Sequence, residues 1–147
     1  MASARRRWAI LALTVALLGG GSATAQDAQR VGVDVLVSHI SDGPGEIDPR
    51  AGRLDAKLRE QFRYGSLAVL ESRRFDLAID QVASMKLANG RKFRLRPLHL
   101  GDSGVLLAVS VEGTVETDLR VRNGHLVVIG AEKYRDGKLV ISLEPHW

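Results

Sequence analysis

The residues best able to do chemistry are cations at period two. Lys92, Arg94 and Arg96 alternate with Phe93 and Leu95, so in a β-strand all three project from one side. With the hairpin register argued below, Lys86 stands opposite Lys92. Arg120 and Arg122 extend the patch if their own strand faces the same way. Such a stripe holds an anion: lipid head groups, an envelope polyanion or an acidic protein. Its bland counterpart is a solvated sheet face kept soluble by Lys and Arg. No aromatic side chain interleaves on the charged face, so the stacking platform that single-stranded nucleic acid requires is missing.

Other constellations are weaker. Asp76 and Asp80, on one face of the same predicted strand, sit roughly 13 Å apart by strand rise. A glycosidase carboxylate pair needs about 5 to 9.5 Å. His39, His99, His125 and His146 lie outside metal-ligand spacing of one another, and no H-E-x-x-H pattern occurs. No metal or cofactor is therefore expected. The densest polar cluster is His39 with Ser41, Asp42, Glu46 and Asp48, beside a glycine-rich loop at a strand end; a hydrolase centred on His39 and Asp42 is the minor enzymatic alternative. Neither G-x-S-x-G nor a glycine-rich phosphate cradle is present.

The first 25 residues form a unit apart. Arg5, Arg6 and Arg7 precede the apolar run Trp8 to Leu18, and Ala23-Thr24-Ala25 precedes Gln26. That is the layout of a secretory signal peptide, with an apolar run far short of a bilayer span. The chain is 147 residues with net charge +4, from 21 basic and 17 acidic residues. Three of the basic residues and none of the acidic ones fall in the leader, so residues 26–147 carry only +1. General nucleic-acid binding loses its support. With no cysteine, lipoprotein anchoring at the cleavage site and a disulfide framework are both excluded, and the domain is expected to be stable through its core.

These residues must be positioned by a β-rich domain. Val31, Val33, Val35 and Val37 alternate with smaller or polar residues and predict a strand. Asp48 suits an N-cap and Pro49 the first helical position. Ala51, Leu54, Leu58 and Phe62 give the one apolar helical stripe, with Gly65 placed to end a helix spanning Asp48 to Tyr64. Ser66 to Leu70 reads as a strand, Glu71 to Arg74 as a turn, and Phe75 to Asp80 as the next strand. In the hairpin from Ala83 to Leu95, a three-residue loop with Gly90 left-handed sets Met85 opposite Phe93 and Ala83 opposite Leu95. Val105 to Val111, then Val115 to Val121, continue the meander. An Asn123-Gly124 turn sets Val121 against Leu126 and Leu119 against Val128. Asp136-Gly137 leads into the last strand, Leu139 to Leu143.

The alternation of Leu139, Ile141, Leu143, Pro145 and Trp147 resembles the C-terminal signature of outer-membrane β-barrel proteins. Pro145 departs from it, the strands are short, aromatics are 5% and a helix interrupts the series. Trp147 is read instead as a cap over the core edge.

The expected fold is α+β: a β-α-β start, then an antiparallel meander forming one curved sheet of six to eight strands with the helix on a face. A small all-β barrel or sandwich is the alternative. The expected function is that of an exported, non-enzymatic envelope protein, periplasmic or secreted. It would be a binding or adaptor module for a protein or anionic envelope component, recognised through Lys86, Lys92, Arg94, Arg96, Arg120 and Arg122. The alternative is a carrier of an apolar, lipid-like ligand between sheet and helix, lined by Leu54, Leu58 and Phe62, because Leu106, Ala108, Val127 and Ile129 make second strand faces apolar.

Overall fold

A computed structural model describes residues 29–147; the leader reading lies outside them. The strands are β1 (Arg30–Ser41), β2 (Ser66–Ala78), β3 (Ala83–Lys86), β4 (Lys92–Gly101), β5 (Gly104–Val111), β6 (Val115–Val121), β7 (Val127–Tyr134) and β8 (Gly137–His146). They form two antiparallel four-stranded sheets, in the orders β2-β1-β8-β7 and β3-β4-β5-β6. The single curved sheet is thus corrected to two. Val31, Val33, Val35 and Val37 of β1 and Leu139, Ile141 and Leu143 of β8 bury against Phe93, Leu95, Leu107 and Val109 of the second sheet. Neither sheet closes into a barrel, and no described helix is long and apolar enough to cross a membrane.

The other face of the first sheet lies under the helical segment. Asp48 caps a 3-10 turn, Pro49–Ala51, by accepting from the Arg50 N–H at 2.9 Å. Gly52, at φ +51°, breaks the segment before α1 (Arg53–Arg59), so the expected seventeen-residue helix is a short turn plus seven residues. Leu54 and Leu58 pack on Ile40, Leu67, Val69 and Val140. Asp48 also accepts from Val69 N–H at 3.1 Å, pinning the helical start to β2. The Arg50 guanidinium, hydrogen-bonded to this carboxylate, holds its pKa well below the ordinary carboxylate range, with the backbone N–H bonds adding to the effect. Gly65 does not end the helix in a left-handed conformation. A Cβ there would lie 2.4 Å from the Gly43 carbonyl oxygen, so the glycine permits two loops to touch.

The predicted turn at Glu71 to Arg74 does not exist: β2 runs through it. It is an edge strand, and its exposed polar residues imitate a turn. A bulge does the work instead. The register slips so that Leu70 is extra. Leu67 and Val69 consequently face the helix, while Phe75 and Leu77, of the same parity, face the core between the sheets.

The Asn123-Gly124 turn is not a hairpin. It carries the chain from β6 in one sheet to β7 in the other, so the expected Val121–Leu126 and Leu119–Val128 pairs do not form. Gly124 N–H bonds the Pro145 carbonyl at 2.7 Å. The Asn123 amide clasps the Trp147 backbone, donating to its carbonyl at 3.1 Å and accepting its N–H at 3.2 Å. Pro145 lies in β8, which is internal, but beyond the start of β7. Its ring nitrogen shares the side of its carbonyl, which accepts from the Gly124 loop N–H, so no neighbouring strand needs a donor from it. The Trp147 side chain, 43% exposed, does not cap the core.

Candidate functional site: the outer face of the second sheet

The β3–β4 hairpin has the expected register, Ala83 against Leu95, Met85 against Phe93 and Lys86 against Lys92, with Gly90 at φ +83°. The core decides it: Ala83, Met85, Phe93 and Leu95 are all buried. Lys86, Lys92, Arg94 and Arg96 are consequently brought together on the outer, solvent face.

The next two strands complete that face. Arg94 pairs with Ser110 and Arg96 with Ala108; Ser110 then pairs with Glu116, Ala108 with Asp118 and Leu106 with Arg120. Three bands result: cations on β3 and β4, small side chains on β5, acids on β6. Strand spacing puts the outer bands about 10 Å apart. Two adjoining clefts run along the bands, one of about 820 Å³ over Lys86, Lys92, Arg94, Ser110 and Glu116, the other of about 280 Å³ over Arg96, Ala108 and Asp118. Among the described residues, Lys86, Lys92, Arg94, Arg96, Glu116 and Asp118 take part in no ion pair. Each side of the groove therefore presents charge without an internal partner.

Two predicted members stand apart. Arg120 shares the face but sits at its far end, where its guanidinium donates to Ser103 Oγ at 2.9 Å. Arg122 lies past the end of β6, beside Asp102, Asn123 and Trp147. The patch does not extend through them uniformly, because Glu116 and Asp118 intervene. Those two acids were visible as the polar side of their strand; what the alternation lacked was which strand they face.

The helix-side residues are placed differently. Leu54 and Leu58 are each 1% exposed inside a packed cluster, which leaves neither open to a ligand. Phe62 is half-buried and lines a separate cleft. The two clusters of titratable groups are also accounted for by their neighbours. His39 Nε2 meets Asp136 Oδ1 at 3.2 Å, and Ser41 Oγ donates to the other oxygen of the same carboxylate at 3.3 Å. Asp42 is not part of this contact set. A carboxylate standing between hydroxyl and imidazole is not the order in which a base withdraws a nucleophile's proton. Asp136 is 97 residues from His39 and had no local signal. His146 Nε2 lies 3.2 Å from Asp34 and 3.3 Å from Glu144, but the guanidiniums of Arg74 and Arg53 share those two carboxylates. Among the described residues no His, Asp and Glu group is arranged to hold a metal ion. Asp76 is paired with Arg30 at 3.2 Å, and Asp80, expected on the same strand face, lies beyond the strand at φ +66°.

No family model matches the chain, and neither a curated protein nor a solved structure matches it significantly.

Proposed function

We propose that this is an exported, non-enzymatic envelope protein, periplasmic or secreted, whose β-rich domain is a binding or adaptor module. Its binding surface is the outer face of the second sheet. One observation carries the reading: Lys86, Lys92, Arg94 and Arg96 converge on one sheet face, and among the described residues none of them forms an ion pair. The acids of β6 refine it. A uniform polyanion lying across the groove would meet Glu116 and Asp118, whereas a protein surface with both signs of charge satisfies both bands.

The test replaces Ser110, on the groove floor, by a photo-crosslinking amino acid in the intact, exported protein. A discrete crosslinked protein is expected, lost when Lys92, Arg94 and Arg96 are all changed to Ala and weakened at high salt. Unchanged crosslinking by that triple variant would dismiss the proposal. Crosslinks to lipid alone, on anionic vesicles, would replace the protein partner by a membrane surface.

A further inference from the structure

A second open cleft, of about 620 Å³, lies on the helix side of the first sheet. Its walls are the end of β1, the chain leaving α1 from Gln61 to Tyr64, and the β7–β8 hairpin from Lys133 to Lys138. The hairpin register sets Lys133 directly opposite Lys138. Like charges in such a pair destabilise a sheet. Lys133 lies on an edge strand, where a lysine discourages edge-to-edge association. Lys138 has no such excuse, since β8 is flanked by β1 and β7.

Two further cations line the cleft, Arg135 with its guanidinium over the Tyr134 ring at 5.1 Å. Arg63 stands on the opposite wall, and Arg135 occupies the hairpin turn at φ +50°, a conformation that favours Gly or Asn. Among the described residues none of the four is ion-paired. Of the acids beside them in sequence, Glu132 pairs with Arg91 and Asp136 already serves Ser41 and His39; Asp42 stands at the rim. The half-buried Phe62 ring gives the cleft an apolar surface, over the buried Ile40, and Lys138 Nζ sits 4.9 Å from the centroid of that ring. The volume falls within the range of small-molecule sites.

We propose that this cleft binds an amphipathic organic anion, with a single anionic head between Lys133 and Lys138 and its hydrocarbon against the half-buried Phe62 ring. A bare inorganic anion would leave the apolar surface unused. A neutral amphiphile would leave the lysine pair repelling. The site is independent of the groove on the second sheet, on the opposite side of the sandwich.

Calorimetric titration with dodecyl phosphate below its micellar concentration tests this, with inorganic phosphate and octyl glucoside as comparisons. Dodecyl phosphate is expected to bind saturably at one site, and both comparison ligands at least about tenfold more weakly. Lys133→Ala, an exposed change, is expected to weaken the alkyl phosphate about tenfold, the loss of one charge-assisted contact. Phe62→Ala weakens it as well; Phe62→Leu serves if the first does not fold. Arg73→Ala, on the far edge strand, leaves affinity unchanged. Without ligand, Lys133→Ala raises the melting temperature, because the repulsion is gone. Inorganic phosphate binding as tightly as its dodecyl ester, affinity unmoved by Lys133→Ala, or no saturable binding would each overturn the assignment.

Discussion

Lys86→Glu separates the two roles that the outer sheet face combines. Lys86 and Lys92 face each other directly, with Cβ atoms about 5 Å apart and their charges about 6 Å apart in water. Coulomb's law at that distance gives about 0.7 kcal/mol of repulsion before salt, reduced to about 0.3 kcal/mol by a Debye length of about 8 Å. Glutamate reverses the sign, so the folded state gains about 0.6 kcal/mol, or roughly 1.1 kcal/mol in 10 mM salt. For a domain of this size that is a rise in melting temperature of about 2 to 3 °C, and of about 4 °C at low salt. In 1 M salt the gain falls below about 0.2 kcal/mol and the rise below about 1 °C. Thermal unfolding followed by circular dichroism at three salt concentrations reads this directly. At the same time, crosslinking to a partner through Ser110 is expected to fall. A surface retained only for solubility has no reason to lose anything when its stability improves. A melting temperature that drops, or that rises equally at all salt concentrations, would refute the electrostatic account of the groove.

Leu54→Ala removes half of the anchor between α1 and the first sheet. It should cost about 3 kcal/mol and, with a urea slope near 1.5 kcal/mol/M, lower the unfolding midpoint by about 2 M; a shift under a few tenths of a molar would mean that the helix is not docked. Asn123→Ala breaks both clasping bonds to Trp147, and hydrogen exchange at the Trp147 amide should accelerate while exchange in β4 and β5 does not. Asp48 has a depressed folded pKa through Arg50, so its stabilisation is complete above its ordinary titration near pH 4 and is lost as pH falls through the lower folded value. The stability gap between the wild type and Asp48→Asn should therefore be constant at neutral pH and close in strong acid; a gap independent of pH would show that the charge is irrelevant.

Legibility in the sequence followed how far each signal had to reach. The β3–β4 register could be derived because a slip by one residue would put Phe93 and Met85 in water; the competing registers differ by whole buried side chains. The cations of that hairpin were legible for the same reason. The partition into two sheets was not, since Asn123-Gly124 has the same local chemistry whether it closes a hairpin or crosses between layers. Its distinguishing contacts, to Pro145 and Trp147, lie more than twenty residues away. Edge position hid β2: Glu71, Ser72, Arg73 and Arg74 are polar because their outer side has no neighbour. The acids opposing the basic band required knowing that β6 lies two strands from β4. The Lys133–Lys138 pair is a local hairpin feature that alternation alone would have shown once the turn was placed one residue earlier, at Arg135 and Asp136.

The position of β8 bears on how the molecule is assembled. β1, the earliest strand, is sandwiched between β2 and β8, and its Val33 waits for Pro145, more than a hundred residues downstream. Half of its ladder is out of reach until β8 has been made. Joining segments so distant carries a heavy loop-closure cost and a slow collapse. Until that moment one edge of a valine-rich strand stands unpaired, and that interval is when a chaperone has the most to hold.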